Sequence, residues 1–177
     1  MRIAISGTHG TGKSSLVDEL SRHLPDADCI DEPYRQLEDE GYVFAAEPSL
    51  EDFEVQLERS IENLQASGED TLLDRCPVDL VAYLLDHEEG PRFDLERWLP
   101  QIRTALSRLD LLVYVPLEDS GRCGAQHDAW RTQVDERLRD IVDGGLWETA
   151  VPVLEVSGST SARVHQVLAY VGRHARS

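Results

Sequence analysis

Basic side chains are scarce in this sequence, and one kind is almost absent. The 177 residues hold 17 Lys and Arg against 34 Asp and Glu, a formal net charge of −17. That balance argues against nonspecific binding to nucleic acid or to an anionic membrane, because both reward a basic face. Lys13 is the only lysine. A guanine-reading [NT]-K-x-D motif needs another, so it is excluded. Cysteines number 3, at Cys29, Cys76 and Cys123, with no C-x-x-C pair. They read as reduced thiols of a cytoplasmic protein, used mostly as small apolar residues. The histidines, His127 and His165 among them, show no metal-ligand spacing. No apolar run approaches membrane-spanning length. Residue 2 is charged and the first apolar run is short, so no signal peptide is expected. Internal repeats and low-complexity segments are lacking too.

What is present begins at residue 7. Gly7-Thr8-His9-Gly10-Thr11-Gly12-Lys13-Ser14 matches G-x-x-x-x-G-K-[ST], the phosphate-binding P-loop, or Walker A motif. It follows the apolar run Arg2–Ser6 and precedes the helix-like stretch that starts Ser15-Leu16-Val17. Glycines let backbone N–H groups turn inward around phosphate oxygens, and the helix N-terminus adds partial positive charge. Lys13 can reach the β- and γ-phosphates, and the Ser14 hydroxyl can ligate Mg²⁺. Every other basic residue that is not histidine is arginine. Lysine is kept where a slim point charge fits and a planar fork does not. Gly7, His9, Gly10, Thr11, Gly12, Lys13, Ser14 and Ser15 are therefore the candidate cofactor-binding set, for ATP with Mg²⁺.

The rest of the chain alternates strand and helix. Strands are expected at 1–6, 27–31, 71–75, 110–115 and 151–156. Helices are expected from Lys13 to about Leu24, over one or two turns at 34–40, and from an N-cap at Ser49 to Ala66, stopped by Gly68. Further helices run from Pro77 to the Gly90-Pro91 break, over 95–108, over 129–142 and over 161–174. This order predicts an α/β fold: a P-loop NTPase with a five-stranded, doubly wound parallel sheet flanked by helices. One domain is expected over 1–177, with a lid around 116–131.

In such sheets ligands bind beyond the carboxyl ends of the strands. Four polar strand ends should converge there: the P-loop, Asp31-Glu32, Asp74-Arg75 and the turn at Ser157-Gly158. Asp74 closes an apolar strand and is a candidate to face Mg²⁺ with Ser14. Arg75 is a candidate for the acceptor substrate or the transferred phosphoryl group. Glu32 can orient or deprotonate an acceptor hydroxyl, and Asp31 competes with it, since strand alternation points only one of them inward. Arg35 can hold an anion or a sugar hydroxyl. Arg122 and Arg131 are lid candidates that would bring guanidinium onto transferring phosphates. The stripe Phe53, Leu57, Ile61, Leu64 reads as core, its polar face shaping a pocket. Acceptor selectivity falls to the regions 34–62 and 77–97.

These motifs carry a resemblance. Gly7 to Ser14, then Asp31-Glu32-Pro33-Tyr34-Arg35, then Leu73-Asp74-Arg75-Cys76-Pro77-Val78-Asp79 resemble the small bacterial and phage P-loop domains of the AAA-type ATPase class. Those are similar to the ribosylnicotinamide kinase domain of the bacterial NAD regulator proteins. Arg131-x-x-x-Asp135, Gly158-Ser159 and Arg163 extend the match along nearly the whole chain. More broadly the pattern is similar to nucleoside and nucleotide kinases. The deoxynucleoside kinases place a Glu-Pro after the second strand, with the Glu as base toward a 5′-hydroxyl, and acidic-Arg-Ser at the third. Cys76 stands here where that group has Ser; thymidylate kinases also use Asp-Arg. The dense lid arginines of many such kinases are missing, with Arg122 and Arg131 well apart. The resemblance implies that Gly158 and Ser159 pass near the adenine.

The expected function is ATP- and Mg²⁺-dependent phosphoryl transfer to a hydroxyl of a small, nucleoside- or nucleotide-like molecule. The catalytic candidates are Lys13, Glu32, Asp74, Arg75 and Arg131, and the substrate-binding candidates are Glu32, Arg35 and Arg75. Glu32, Asp31 and Asp74 remain alternatives for the base. A P-loop ATPase or nucleotide-dependent switch acting on a protein partner is the alternative function. The partners expected are a small-molecule acceptor, neither nucleic acid nor membrane, in a monomer or homodimer.

Overall fold

A computed structural model describes residues 1–118 and 125–174, with side chains from 129 onward in the second segment. Five strands form one parallel sheet: β1 (Arg2–Ser6), β2 (Asp28–Ile30), β3 (Thr71–Asp74), β4 (Leu111–Tyr114) and β5 (Val153–Glu155), in the order β2-β3-β1-β4-β5. β1 lies in the middle, with Ile5 opposite Asp74 on one side and Val113 on the other. The P-loop thus leaves the centre of the sheet, and the switch point in the strand order falls beside it.

Central parallel strands are covered on both faces, so they read as apolar runs. β3 and β4 are buried at every position. Alternate residues still go to different sides. Ala4, Leu73, Leu112 and Tyr114 pack under α3 (Leu50–Ala66), α4 (Pro77–Asp86), α5 (Leu95–Leu106) and α6 (Ala125–Asp143). Ile3, Ile5, Leu72, Leu111, Val113 and Val115 pack under α1 (Lys13–His23) and α7 (Thr160–His174). A short helix, α2 (Pro33–Asp39), follows β2 and lies against α3.

Local chemistry sets the helix starts. Ser49 and Asp52 form a reciprocal capping box on α3, as the Ser49 cap predicted. Pro77 sits at the start of α4, where its missing N–H costs nothing, and Cys76 and Asp79 close a second box. Most element ends shift by at most a residue or two from the sequence expectation, and three details differ in kind. α6 begins at Ala125, four residues earlier than the Trp130-centred apolar face suggested, because its first turn is polar and carries no periodic signal. Arg131 therefore lies inside the helix rather than at its start. The α3 helix ends at Ala66 as expected, but its C-cap is Ser67 and no left-handed residue follows, so Gly68 does not close it as a left-handed cap. β3 ends at Asp74, and Arg75 turns out of the strand at φ 78.

Candidate active site

The P-loop is fixed from below by close approach. Gly7 has φ +152, and a Cβ there would lie 2.4 Å from the Val115 carbonyl oxygen, so only glycine fits. Its N–H donates to Asp79 Oδ1 at 2.9 Å, and the His9 N–H donates to the Tyr83 hydroxyl at 2.9 Å. The α4 helix thereby holds the front of the loop. Gly12, at φ +89, is the N-cap of α1 and offers no side-chain cap. The first N–H groups of the helix, at Lys13, Ser14 and Ser15, are those a helix start leaves without internal acceptors. Such groups are what an anion site at a helix start uses.

Lys13 is buried, and its amine donates to the Thr8 carbonyl at 2.7 Å rather than to a carboxylate. Burial, and then the neighbouring Arg75 charge, push its pKa down to about 7 from 10.5. The Ser14 hydroxyl donates to Asp74 Oδ2 at 2.6 Å. Asp74 is buried, and its Oδ1 has no partner. Burial raises its pKa, with the Ser14 bond and Lys13 opposing. An unpaired, desolvated carboxylate oxygen beside a hydroxyl is an oxygen donor set of the kind Mg²⁺ takes, so these two residues fit the metal.

On the other side of the strand end, Glu32 and Arg75 form a pair. Arg75 Nε donates to Glu32 Oε2 at 2.9 Å, Nη1 to the Gly7 carbonyl at 3.4 Å, and Asp79 lies 3.8 Å away. Burial works against the Arg75 charge, but Tyr83, Asp79 and Glu32 outweigh it and raise the pKa, so the guanidinium stays protonated. For Glu32, burial pushes up, while Arg75 by charge and hydrogen bond, with Lys13 and Arg35, brings the net value below the ordinary one. Glu32 is ionised at neutral pH.

This pair lies at the edge of a cavity of about 340 Å³. His9, Glu32, Arg75 and Gln56 supply its polar groups, and Tyr34, Phe44, Phe53, Tyr83 and Trp130 its aromatic walls. Tyr34 stacks on Phe44 with centroids 4.3 Å apart, and Phe53 stacks on Tyr83 at 5.3 Å. Trp130 meets Tyr83 edge-on at 5.5 Å. The chain has only 11 aromatic residues, counting Phe, Trp and Tyr, and these five converge here. A cavity lined by this many rings suits a flat, partly apolar ligand.

The structure separates several residues that the sequence grouped. Glu32 faces the aromatic cavity, whereas Asp31 and Arg35 line a second cavity, with Ser14 and Asp74. Asp31 is exposed and its carboxylate accepts the Glu32 N–H. Arg35 reaches Glu32 from behind at 3.3 Å. Asp74 faces Ser14 and is absent from the aromatic cavity's lining. Arg131 does approach the P-loop: its Nη2 lies 3.3 Å from where a Cβ on Gly10 would stand, and its Nε is buried without a partner. Arg122 lies outside the described residues. The Ser159 hydroxyl accepts the Ala162 N–H, which occupies it at the start of α7, and Gly158 donates its N–H to Glu118.

Some residues at the site carried little signal. Asp79 sits in the quoted motif, and its three-residue spacing from Cys76 is the clue to its cap. Phe53 was expected as core; it is buried, yet it also forms cavity wall. Gln56, on the polar flank of the same stripe, enters the cavity as anticipated for that face. The regions 34–62 and 77–97 supply most of the lining, but Trp130 arrives from α6, outside both.

A P-loop between β1 and α1, a hydroxyl–carboxylate pair and an adjoining cavity, on a parallel sheet of this strand order, define a P-loop domain. The chain belongs to the AAA domain family, which matches residues 2–163. No curated protein matches it. Among solved structures it is similar to a deoxyadenosine kinase from M. mycoides, at 14% identity and a TM-score of 0.69, over 98% of this chain and 100% of that one. It is similar to NadR protein, solved with NAD and AMP-PNP, at 19% identity and a TM-score of 0.69. That match covers 97% of this chain but 49% of NadR, so the chain spans about half of that protein's length. Shikimate kinase from Aquifex aeolicus matches at 17% identity and a TM-score of 0.60, over 99% and 98%. At these identities the likeness is one of fold. Among the described residues, no helix is long and apolar enough to cross a membrane.

Proposed function

We propose that this protein is an ATP-dependent kinase that transfers the γ-phosphoryl group to a hydroxyl of a small, ring-bearing molecule of nucleoside or nucleotide type. One observation carries the reading: the ionised Glu32, paired with Arg75, stands where the aromatic cavity meets the P-loop. An ATPase or protein switch has no use for a cavity of five aromatic side chains next to its phosphate site, so the kinase reading takes precedence.

The chain's own groups divide the work. P-loop amides and Lys13 hold the phosphates, and Lys13 exchanges the Thr8 carbonyl for phosphate oxygen. Glu32 orients the acceptor hydroxyl and takes its proton. A carboxylate held below its ordinary pKa is a weak base, which suffices where bond formation to the incoming oxygen is late. Arg75 fixes the Glu32 rotamer and places positive charge beside the reacting oxygens. Arg131 covers the loop over Gly10 and supplies a second guanidinium. The aromatic walls hold the acceptor ring, which converts a two-body encounter into a positioned one. Ser14 and Asp74 would hold Mg²⁺, which supplies charge neutralisation to the phosphates when bound.

The test is ADP release from Mg·ATP, alone and with a panel of ribosides, deoxyribosides, nucleoside monophosphates and amino sugars, with Lys13→Ala as the blank. One acceptor should raise turnover well above the ATP-only rate and appear as a phosphorylated product by mass. Turnover that stays at the ATP-only rate across the panel, with Lys13-dependent ATP binding intact, would replace the kinase reading by the ATPase or switch.

A further inference from the structure

The P-loop is also held from outside, by a residue far along the chain. Arg163, in the first turn of α7, is 7% exposed. Its Nη1 donates to the Thr11 carbonyl at 2.6 Å and lies 3.3 Å from where a Cβ on Gly12 would stand. Its Nη2 reaches Glu118 Oε1 at 3.1 Å, and that same oxygen accepts the Gly158 N–H at 2.7 Å. Its Nε is buried with no partner. One guanidinium and one carboxylate thus join the P-loop, the chain just beyond β4, and the turn before α7.

Burying a guanidinium is costly, and an apolar side chain would pack α7 at less expense. The position of the charge explains its use. A trans peptide is planar, with its C=O and N–H on opposite sides. Pulling the Thr11 carbonyl toward Arg163 therefore turns the Gly12 N–H away from Arg163. Glycine at 12 has a flexible backbone, so this peptide plane needs an outside restraint.

We propose that Arg163 is a positioning residue: it fixes the Thr11–Gly12 peptide so that the Gly12 amide meets phosphate, and through Glu118 it couples this plane to the Gly158 turn. The inference rests on the reading of the P-loop as the ATP site. It touches the nucleotide side alone, so it predicts a split between the two substrates. Arg163→Met keeps the aliphatic stem and should raise the Kd for Mg·ATP by calorimetry about tenfold or more, the effect of one charged hydrogen bond. The acceptor KM should move less than about twofold. Arg163→Lys retains a donor for the Thr11 carbonyl and should recover most of the affinity. Equal rises in both substrates' constants, or ATP binding by a folded Arg163→Met within about twofold of wild type, would overturn the proposal. If Arg163→Met does not fold, Glu118→Gln decides. It keeps an oxygen for the Gly158 N–H but removes the charge facing Arg163. A rise of about threefold or more in the ATP Kd supports the coupling, and an unchanged Kd overturns it. Wild-type protein that does not bind Mg·ATP would instead defeat the P-loop reading itself, before any variant is compared.

Discussion

On the P-loop side of the cleft the side chains are polar, buried and short of partners. Lys13 points at a carbonyl, Asp74 Oδ1 points at nothing, and the Nε atoms of Arg131 and Arg163 are unpaired. On the cavity side the reverse holds. Tyr34, Phe44, Phe53, Tyr83 and Trp130 already pack ring against ring, and Glu32 and Arg75 already satisfy each other. The first side carries unmet electrostatic demand that a polyphosphate and a cation would relieve. The second is preformed and gains by burying apolar area. Tyr83 joins them, stacking on Phe53 while its hydroxyl takes the His9 N–H. Free energy of nucleotide binding should therefore be electrostatic, and that of acceptor binding mostly ring contact.

The largest test of this contrast is Lys13→Met. Turnover should fall by about 10³-fold or more, as when a charge aimed at the transition state is removed. The ligand-free protein should at the same time melt higher, because the substitution removes a poorly solvated cation. About 1 kcal/mol would show as roughly 2–4 °C in a chain of this size. A lower melting temperature would mean that Lys13 is not strained in the free protein. Next comes Glu32→Gln, at the boundary. Its kcat should fall by about 10²- to 10⁴-fold while the ATP Kd stays put, checked by calorimetry beside initial rates. A rise in ATP Kd equal to the loss of rate would move Glu32 to the nucleotide side.

The same contrast explains what could be read from sequence. The P-loop side is written in eight consecutive residues, because a backbone cradle must be contiguous. The five-stranded parallel sheet followed from apolar runs alternating with helical periods, though not the order of its strands, and Ser14 and Asp74 meet beyond the strand ends, where the polar groups were expected to converge. The cavity draws on residues 34, 44, 53, 83 and 130. Each is an ordinary aromatic on an apolar helix face or in a loop, and only the fold brings them together. Phe53 shows the difficulty: at helical spacing, a core residue and a cavity wall have the same pattern. Arg163 shows another, since a lone arginine on a helix gives no sign that it reaches back to Thr11.

A smaller effect is expected at Tyr34, a residue 39% exposed that lines the cavity and stacks on Phe44. Tyr34→Ala should leave the melting temperature nearly unchanged and raise the acceptor KM roughly 2- to 12-fold, the worth of one aromatic contact. The ATP KM should not respond. If it rises in step, the walls belong to both substrates and the division made above fails.

The subtlest expected signal is a proton count. Lys13 has a pKa near 7 in the free protein, against 10.5 in an unfolded chain. Its pKa is lowered on folding, so between these values the unfolded chain binds more protons, and the Lys13 contribution to stability rises with pH. Phosphate oxygens brought against the amine reverse the shift. At pH 8 about nine-tenths of free Lys13 is neutral, so ATP binding should take up close to one proton, and at pH 6 close to none. Calorimetry in two buffers of different ionisation enthalpy reads this directly. Acceptor binding should take up no proton at pH 8, because Glu32 is held below its ordinary pKa and Arg75 above its own. Absence of uptake with ATP at pH 8 would mean that Lys13 is already charged in the free protein, and that the P-loop side is as well compensated as the cavity.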